Sequence, residues 1–178
     1  MKVLMHRAMQ KQFGFTIVEF LIVIVVIGIL AGITIVAYNG IQDRSRTAKI
    51  QTDMRNLEHA ITTARTNSGD VVLRSITSST ATGANCWNKA SGTDLAALPK
   101  TDGCWVSYLG AMSAISNASG INVNNLVDPW GRPYYMDENE GESGSCNDDA
   151  IGYYAVPFTT AQTMIRMKTI ANIQPACL

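Results

Sequence analysis

The chain has 178 residues, with 14 Lys+Arg against 14 Asp+Glu and a formal net charge of zero. That balance excludes a strongly basic nucleic-acid binder, and a hydrophobic share of 47% excludes an acidic disordered chain. Four cysteines are too few for a scaffold held by disulfides alone, and the length is enough to bury a core.

The neutral total hides a segregation. Residues 1–14 read MKVLMHRAMQKQFG, with Lys2, Arg7, Lys11 and His6 and no acid. No charged residue then occurs from Phe20 to Gln42. The core of that run, FLIVIVVIGILAGITIVAY, is long enough to cross a bilayer about 30 Å thick as a helix. Its many Val and Ile residues would suggest buried strand in water, but in lipid only a helix satisfies the backbone of a single span. The run is too long for a secretory signal, and no A-x-A-like cleavage site follows it. The basic segment before it stays cytoplasmic by the positive-inside rule. Glu19 sits at the edge of the run, where an acid marks either headgroup depth or function.

Gly14 followed by FTIVEFLIVIVVIGILAGI resembles the class III signal of type IV pilins and type II secretion pseudopilins. The resemblance is strong over residues 1–68. It implies that a prepilin peptidase/N-methyltransferase cuts between Gly14 and Phe15 and methylates the new amine. It also implies that Glu19, fifth in the mature chain, pairs with an incoming subunit's N-terminus. Phe15 and Glu19 are four apart, which on a helix places them on one face, and a paired charge is tolerated where an unpaired one is penalised. Gly28 and Gly32 form a GxxxG spacing, which lets helices approach closely in lipid or is simply the ordinary abundance of Gly there. Many family members carry a proline where this chain has Val36, and no proline precedes Pro99. Gly28, Gly32 and Gly40 are the candidates for loosening the helix instead.

From Asp43 the chain turns polar but keeps helical spacing. Ile50, Met54, Leu57, Ile61 and Ala64 make an apolar stripe. Arg44, Arg46, Lys49, Asp53, Arg55, Glu58 and Arg65 read as the other face. Two heptads are too few for a coiled coil, so the stripe should pack on the rest of the chain. The 67–70 segment Asn-Ser-Gly-Asp is a stop signal.

Residues 71–92 read as an irregular loop. Residues 93–98 suggest one helical turn, and 106–116 a weak helix. Residues 126–136 suggest a turn and then strand. Residues 150–158 and 163–173 read as two more strands joined through 159–162 as a hairpin. The expected fold is therefore α+β: a long N-terminal helix, transmembrane in its first half and amphipathic in its second, packed on a small antiparallel sheet, as in the pilin-like fold. The expected division is a leader 1–14, a helix with its assembly segment 15–68, and a globular head 69–178.

A second resemblance is independent of the first. Asp128-Pro129-Trp130-Gly131-Arg132-Pro133-Tyr134 is similar to the DPWG-x-PY motif of the major pseudopilin of type II secretion and of some other bacterial pilins. In those pseudopilins a loop just downstream binds calcium. Here Asp137, Glu138, Glu140, Glu142, Asp148 and Asp149 could supply oxygen ligands. The segment lacks EF-hand spacing, so a solvated acidic loop is the alternative. No other cofactor is required.

Cys86, Cys104, Cys146 and Cys177 all follow the span, on the side where disulfides persist. Of three connectivities, Cys86–Cys104 with Cys146–Cys177 is favoured: the first would staple the loop, the second would tie the C-terminus to the sheet edge. Zinc lacks a CxxC pair or any His after His59. No nucleophile elbow, P-loop or metalloprotease motif points to an enzyme.

The expected function is a structural prepilin, cleaved after Gly14 and polymerised through its N-terminal helix into a type IV pilus-like filament. One alternative is the major pseudopilin of a type II secretion system. Another, of a different class, is a minor tip subunit that binds a surface or DNA. The expected partners are further copies of the chain, the peptidase, the membrane platform of the machine, other minor pilins, and the bilayer before assembly. The expected location is a single-pass cytoplasmic membrane protein with its head outside the cytoplasm, and then a cell-surface or periplasmic filament. Net zero would then belong to the precursor alone, with a leader of +3 and a mature chain of −3.

Overall fold

A computed structural model describes residues 14–78, 84–90, 92–138, 146–155 and 164–173. Helix α1 runs Ile17–Asn67, followed by α2 (Leu73–Thr77), α3 (Ala84–Trp87), α4 (Gly103–Ser119), β1 (Tyr135–Asp137), β2 (Asp149–Tyr154) and β3 (Met164–Ile170). The architecture is α+β, a long N-terminal helix and a small antiparallel sheet, consistent with a pilin-like fold. The chain forms two compact units, Met1–Arg44 and Ser45–Leu178.

In the second unit the α1 stripe is buried as its spacing requires: Met54, Leu57, Ile61 and Ala64 are fully inaccessible. They share one core with Leu73 of α2, with Trp105, Met112 and Ile115 of α4, and with Met136, Ile151 and Ile170 of the three strands. Burying each such side chain contributes roughly 1.5–3 kcal/mol. The helix ends where Gly69 (φ 85°) and Asp70 (φ 57°) turn left-handed, and Asp70 N–H donates to the Arg65 carbonyl at 2.9 Å.

The helix α4 is longer than its sequence suggested. The Asp102 carboxylate caps its start by accepting from Cys104 N–H at 2.9 Å, and Gly120 (φ 74°) ends it. Residues 71–92 are not the loop expected, because α2 and α3 form there and pack on α4. The 93–98 segment makes turns but no helix.

The sheet order is β1-β2-β3, antiparallel throughout. The β2–β3 register slips between Ile151 and Gly152: Ile151 faces Lys168 while Gly152 faces Arg166, leaving Met167 as the extra residue of a bulge. The expected hairpin connection at 159–162 lies outside the described residues.

Four tyrosines line the inner layer. Tyr108 donates to the Leu126 carbonyl at 2.6 Å, Tyr134 to Asp53 at 2.6 Å and Tyr135 to Asp137 at 2.7 Å. Tyr154 stacks edge-on against Tyr135. Burial raises all four phenols above their ordinary value near 10, Tyr135 to about 12. A group whose folded pKa is raised gives stability that is intact below its unfolded pKa and drains as pH climbs past it. Thermal midpoints should therefore show no tyrosine-linked loss up to about pH 10 and should fall steeply above it. Replacing Tyr135 by Phe should flatten the fall between about pH 10 and 12.

Candidate functional site

The expected processing site lies at the start of α1. Gly14 and Phe15 precede the helix, and Phe15 is 81% exposed. The helix begins at Ile17 because Thr16 caps it. The Glu19 N–H donates to the Thr16 hydroxyl oxygen at 3.2 Å, and one Glu19 carboxylate oxygen accepts from Thr16 N–H at 2.8 Å and from its hydroxyl at 2.7 Å. That is a reciprocal capping box, with Glu19 at the third helical position. The expectation that Phe15 and Glu19 share a helix face is corrected: Phe15 is not helical, and the carboxylate is turned to Thr16. Thr16 stood in the signal motif but was not read as a cap, although Thr-x-x-Glu before an apolar run is the ordinary signature of such a box.

From Phe20 to Ile35 the helix is almost wholly apolar and exposed on all sides. Phe20, Ile24, Ile27, Leu30 and Ile35 each leave more than two fifths of their surface uncovered. A helix apolar all round suits lipid or a bundle of helices, not water. This helix is long and apolar enough to cross a membrane. Gly28 and Gly32 sit one turn apart, and a β-carbon at either would meet nothing within 4 Å, so a second helix has room to approach there. Thr34 satisfies its hydroxyl on the Leu30 and Ala31 carbonyls, both at 3.0 Å. Of the side chain of Val36 nothing is described.

The DPWG segment folds as a tight turn. Gly131 N–H donates to the Asp128 carbonyl at 2.9 Å, and Gly131 takes φ 80°, which a glycine adopts without cost. The Asp128 carboxylate accepts from Trp130 N–H, from Arg132 N–H and from Arg132 Nε at 2.7–2.9 Å. The Arg132 guanidinium then donates to the carbonyls of Tyr154, the last residue of β2, and of Ala155 just after it. Both side chains of this pair are at most 1% exposed. Pro129 fixes the backbone entering the turn, and Pro133 and Tyr134 carry the chain towards β1.

The turn docks on α1. Lys49 donates to the Val127 carbonyl at 2.6 Å and to Asp53 at 2.5 Å. The Arg46 and Arg132 guanidinium carbons lie 5.6 and 5.1 Å from the Trp130 ring centre, within cation–π range. Asp53 and Arg65, read from sequence as members of the solvent face, are in fact buried. Asp53 receives Tyr134, and Arg65 pairs with Asp149 at 2.5 Å.

The acids of the expected calcium loop are held separately. Asp137 pairs with Arg166 at 3.0 Å, Glu138 accepts from the Thr77 hydroxyl, Asp148 accepts from Asn172 N–H at 2.9 Å, and Asp149 holds Arg65. These four do not converge on a common ligand point, and among the described residues no group of three His, Cys, Asp or Glu is placed to hold a metal. Glu140 and Glu142 lie outside the described residues. Cys86 and Cys104 form a disulfide that ties α3 to the start of α4. Cys146 is also disulfide-bonded, and Cys177, its favoured partner, lies outside the described residues.

Residues 9–35 match the family model of the prokaryotic N-terminal methylation motif. The match spans Gly14, Phe15, Thr16 and Glu19 and the first half of the exposed apolar helix, and it supports a place in the pilin and pseudopilin superfamily. No curated protein and no solved structure compared with the chain matches it.

Proposed function

We propose that this prepilin-type, type IV pilin-like chain is the structural subunit of a pilus-like filament. It is cleaved after Gly14, methylated at Phe15 and polymerised through α1. The observation that carries the reading is the exposed, non-helical Gly14–Phe15 joint at the head of an apolar helix whose described side chains from Phe20 to Ile35 are exposed. The helix anchors the precursor in the cytoplasmic membrane, with the basic leader inside and the disulfide-bearing head outside, where a Cys86–Cys104 bond persists. The chain then acts as building material rather than as an enzyme.

In the filament the apolar surface from Phe20 to Ile35 is buried between helices. Cutting after Gly14 creates an α-amine with an ordinary pKa near 7.7–8.0. A neighbouring Glu19 carboxylate neutralises that amine and sets the axial step of the growing filament. Removing one partner of a buried pair leaves the other uncompensated at a cost of about 3–5 kcal/mol. Glu19→Ala should therefore reduce filament yield about a hundredfold or more, read as subunit in the sheared fraction against subunit in the membrane. Assembly at the native rate would sink the pairing role.

A second reading, the major pseudopilin of a type II secretion system, is favoured by one observation. The 128–134 segment resembles the DPWG-x-PY motif of that pseudopilin, and its turn is held by the buried Asp128–Arg132 pair. Location of the assembled chain separates the two: long surface filaments support a pilus, and short periplasmic ones a pseudopilus.

A further inference from the structure

We propose that Thr16 is a positioning residue for the processing step, keeping the Gly14–Phe15 peptide out of the helix so that the peptidase can reach it. The inference rests on the reading of Gly14 as the cleavage point. It concerns how the chain presents that bond.

Cleavage adds water to the Gly14 carbonyl carbon and breaks its bond to the Phe15 nitrogen. The hydroxyl stays on Gly14 as a carboxylate, and a proton goes to the departing Phe15 amine. An attacking water needs that carbonyl free. In an α-helix it would instead accept the N–H four residues on, that of Val18, and the next rung would join Glu19 N–H to the Phe15 carbonyl. The apolar run favours such growth, because in lipid every unpaired backbone group is costly.

The structure shows what stops it. The Thr16 hydroxyl takes the Glu19 N–H that the Phe15 carbonyl would otherwise receive, at 3.2 Å. The Glu19 carboxylate in turn holds Thr16 N–H at 2.8 Å. The first helical rung outside the helix proper is Phe20 N–H to the Thr16 carbonyl at 3.3 Å. Gly14 and Phe15 are left exposed and outside the helix. The Thr16 side chain thus satisfies one orphan donor of the helix start, the Glu19 N–H, and fixes where the start falls. Glu19 has two successive tasks on this account. It caps the precursor, and it is released to a neighbour's amine after the cut.

The two tasks make different demands, which gives the test. A capping box accepts Gln in place of Glu at the third position, whereas neutralising an amine needs the carboxylate. Full-length precursor is placed in membrane vesicles with a prepilin peptidase, and the cleaved fraction is followed by mass over time. Thr16→Val keeps the shape but removes the hydroxyl, and cleavage should slow about fivefold. Thr16→Ser and Thr16→Asn each keep a capping acceptor and should be cut within about twofold of the native rate. Glu19→Gln should likewise be cut normally yet fail to assemble. Native-rate cleavage of Thr16→Val overturns the proposal. So does slow cleavage of both Thr16→Ser and Thr16→Asn, since the peptidase would then be reading the threonine itself. A native chain that is not cut after Gly14 overturns the underlying reading as well, and is recognised because every variant then behaves alike.

Discussion

Asp128→Ala should cost the head about 3–5 kcal/mol of folding stability, a large part of the roughly 5–15 kcal/mol a domain of this size possesses. The pair it breaks is the most enclosed in the described structure, with Arg132 and Asp128 side chains 1% and 0% exposed. Without the carboxylate, the Arg132 charge stays buried after losing its anionic partner, with the Tyr154 and Ala155 carbonyls still accepting from it. The turn also loses the acceptor for Trp130 N–H and Arg132 N–H, and a buried donor left unmade adds about 1–3 kcal/mol. Thermal unfolding of the full chain in detergent should show a midpoint lower by about 15 °C or more. Replacing Asp128 and Arg132 together by apolar residues of similar volume should be milder than the single change, because no charge is then stranded. A double variant worse than Asp128→Ala would show that the pair stabilises beyond its own neutralisation.

Gly152→Ala should destabilise by about 2–3 kcal/mol, against the usual gain from replacing glycine in regular structure. A β-carbon there would run into the Ile165 carbonyl group and the Arg166 α-carbon of β3. The clash is with backbone, which cannot rotate aside, so the strand pairing at the Met167 bulge has to open. Gly110 gives the control. It lies within α4, where a β-carbon would meet nothing within 4 Å. Gly110→Ala should raise stability by up to about 1 kcal/mol through helix propensity. The two substitutions have the same chemistry and opposite expected signs, so their thermal midpoints should move in opposite directions. A rise for both would mean that β2 and β3 pair without the bulge.

These cases also show where the sequence was informative. The α1 stripe was legible because its period is local: Ile50, Met54, Leu57, Ile61 and Ala64 repeat at helical spacing, and all are buried. The stop at Gly69 was legible for the same reason. The buried side of α1 is wider than that stripe, however. Asp53 and Arg65 read as solvated charges because nothing near them in sequence announces Tyr134 or Asp149, the latter 84 residues away. A charge enters a core only with its partner, and partners brought by topology leave no periodic trace. Arg132 was passed over as the variable position of the turn, although it completes the ion pair with Asp128. The bulge at Gly152 was equally hidden, since register depends on both strands at once. At the start of α1, the capping role of Thr16 was overlooked although its signal stood in plain view.

The same geometry gives the opening charge balance a physical use. On the proposed reading, a cut after Gly14 would remove the three cations of residues 1–14 and leave a mildly acidic subunit. An apolar helix this exposed is unsuited to water, and the proposed function gives it two successive hosts, the bilayer and the helices of neighbouring subunits.

The most direct test is the mass and first residue of the chain recovered from sheared filaments of cells that make it together with a prepilin peptidase and its machine. The account predicts a mature chain beginning at N-methylated Phe15 and retaining everything to Leu178, with its disulfides intact. A filament chain that still begins at Met1, or one cut anywhere downstream of Glu19, would contradict it.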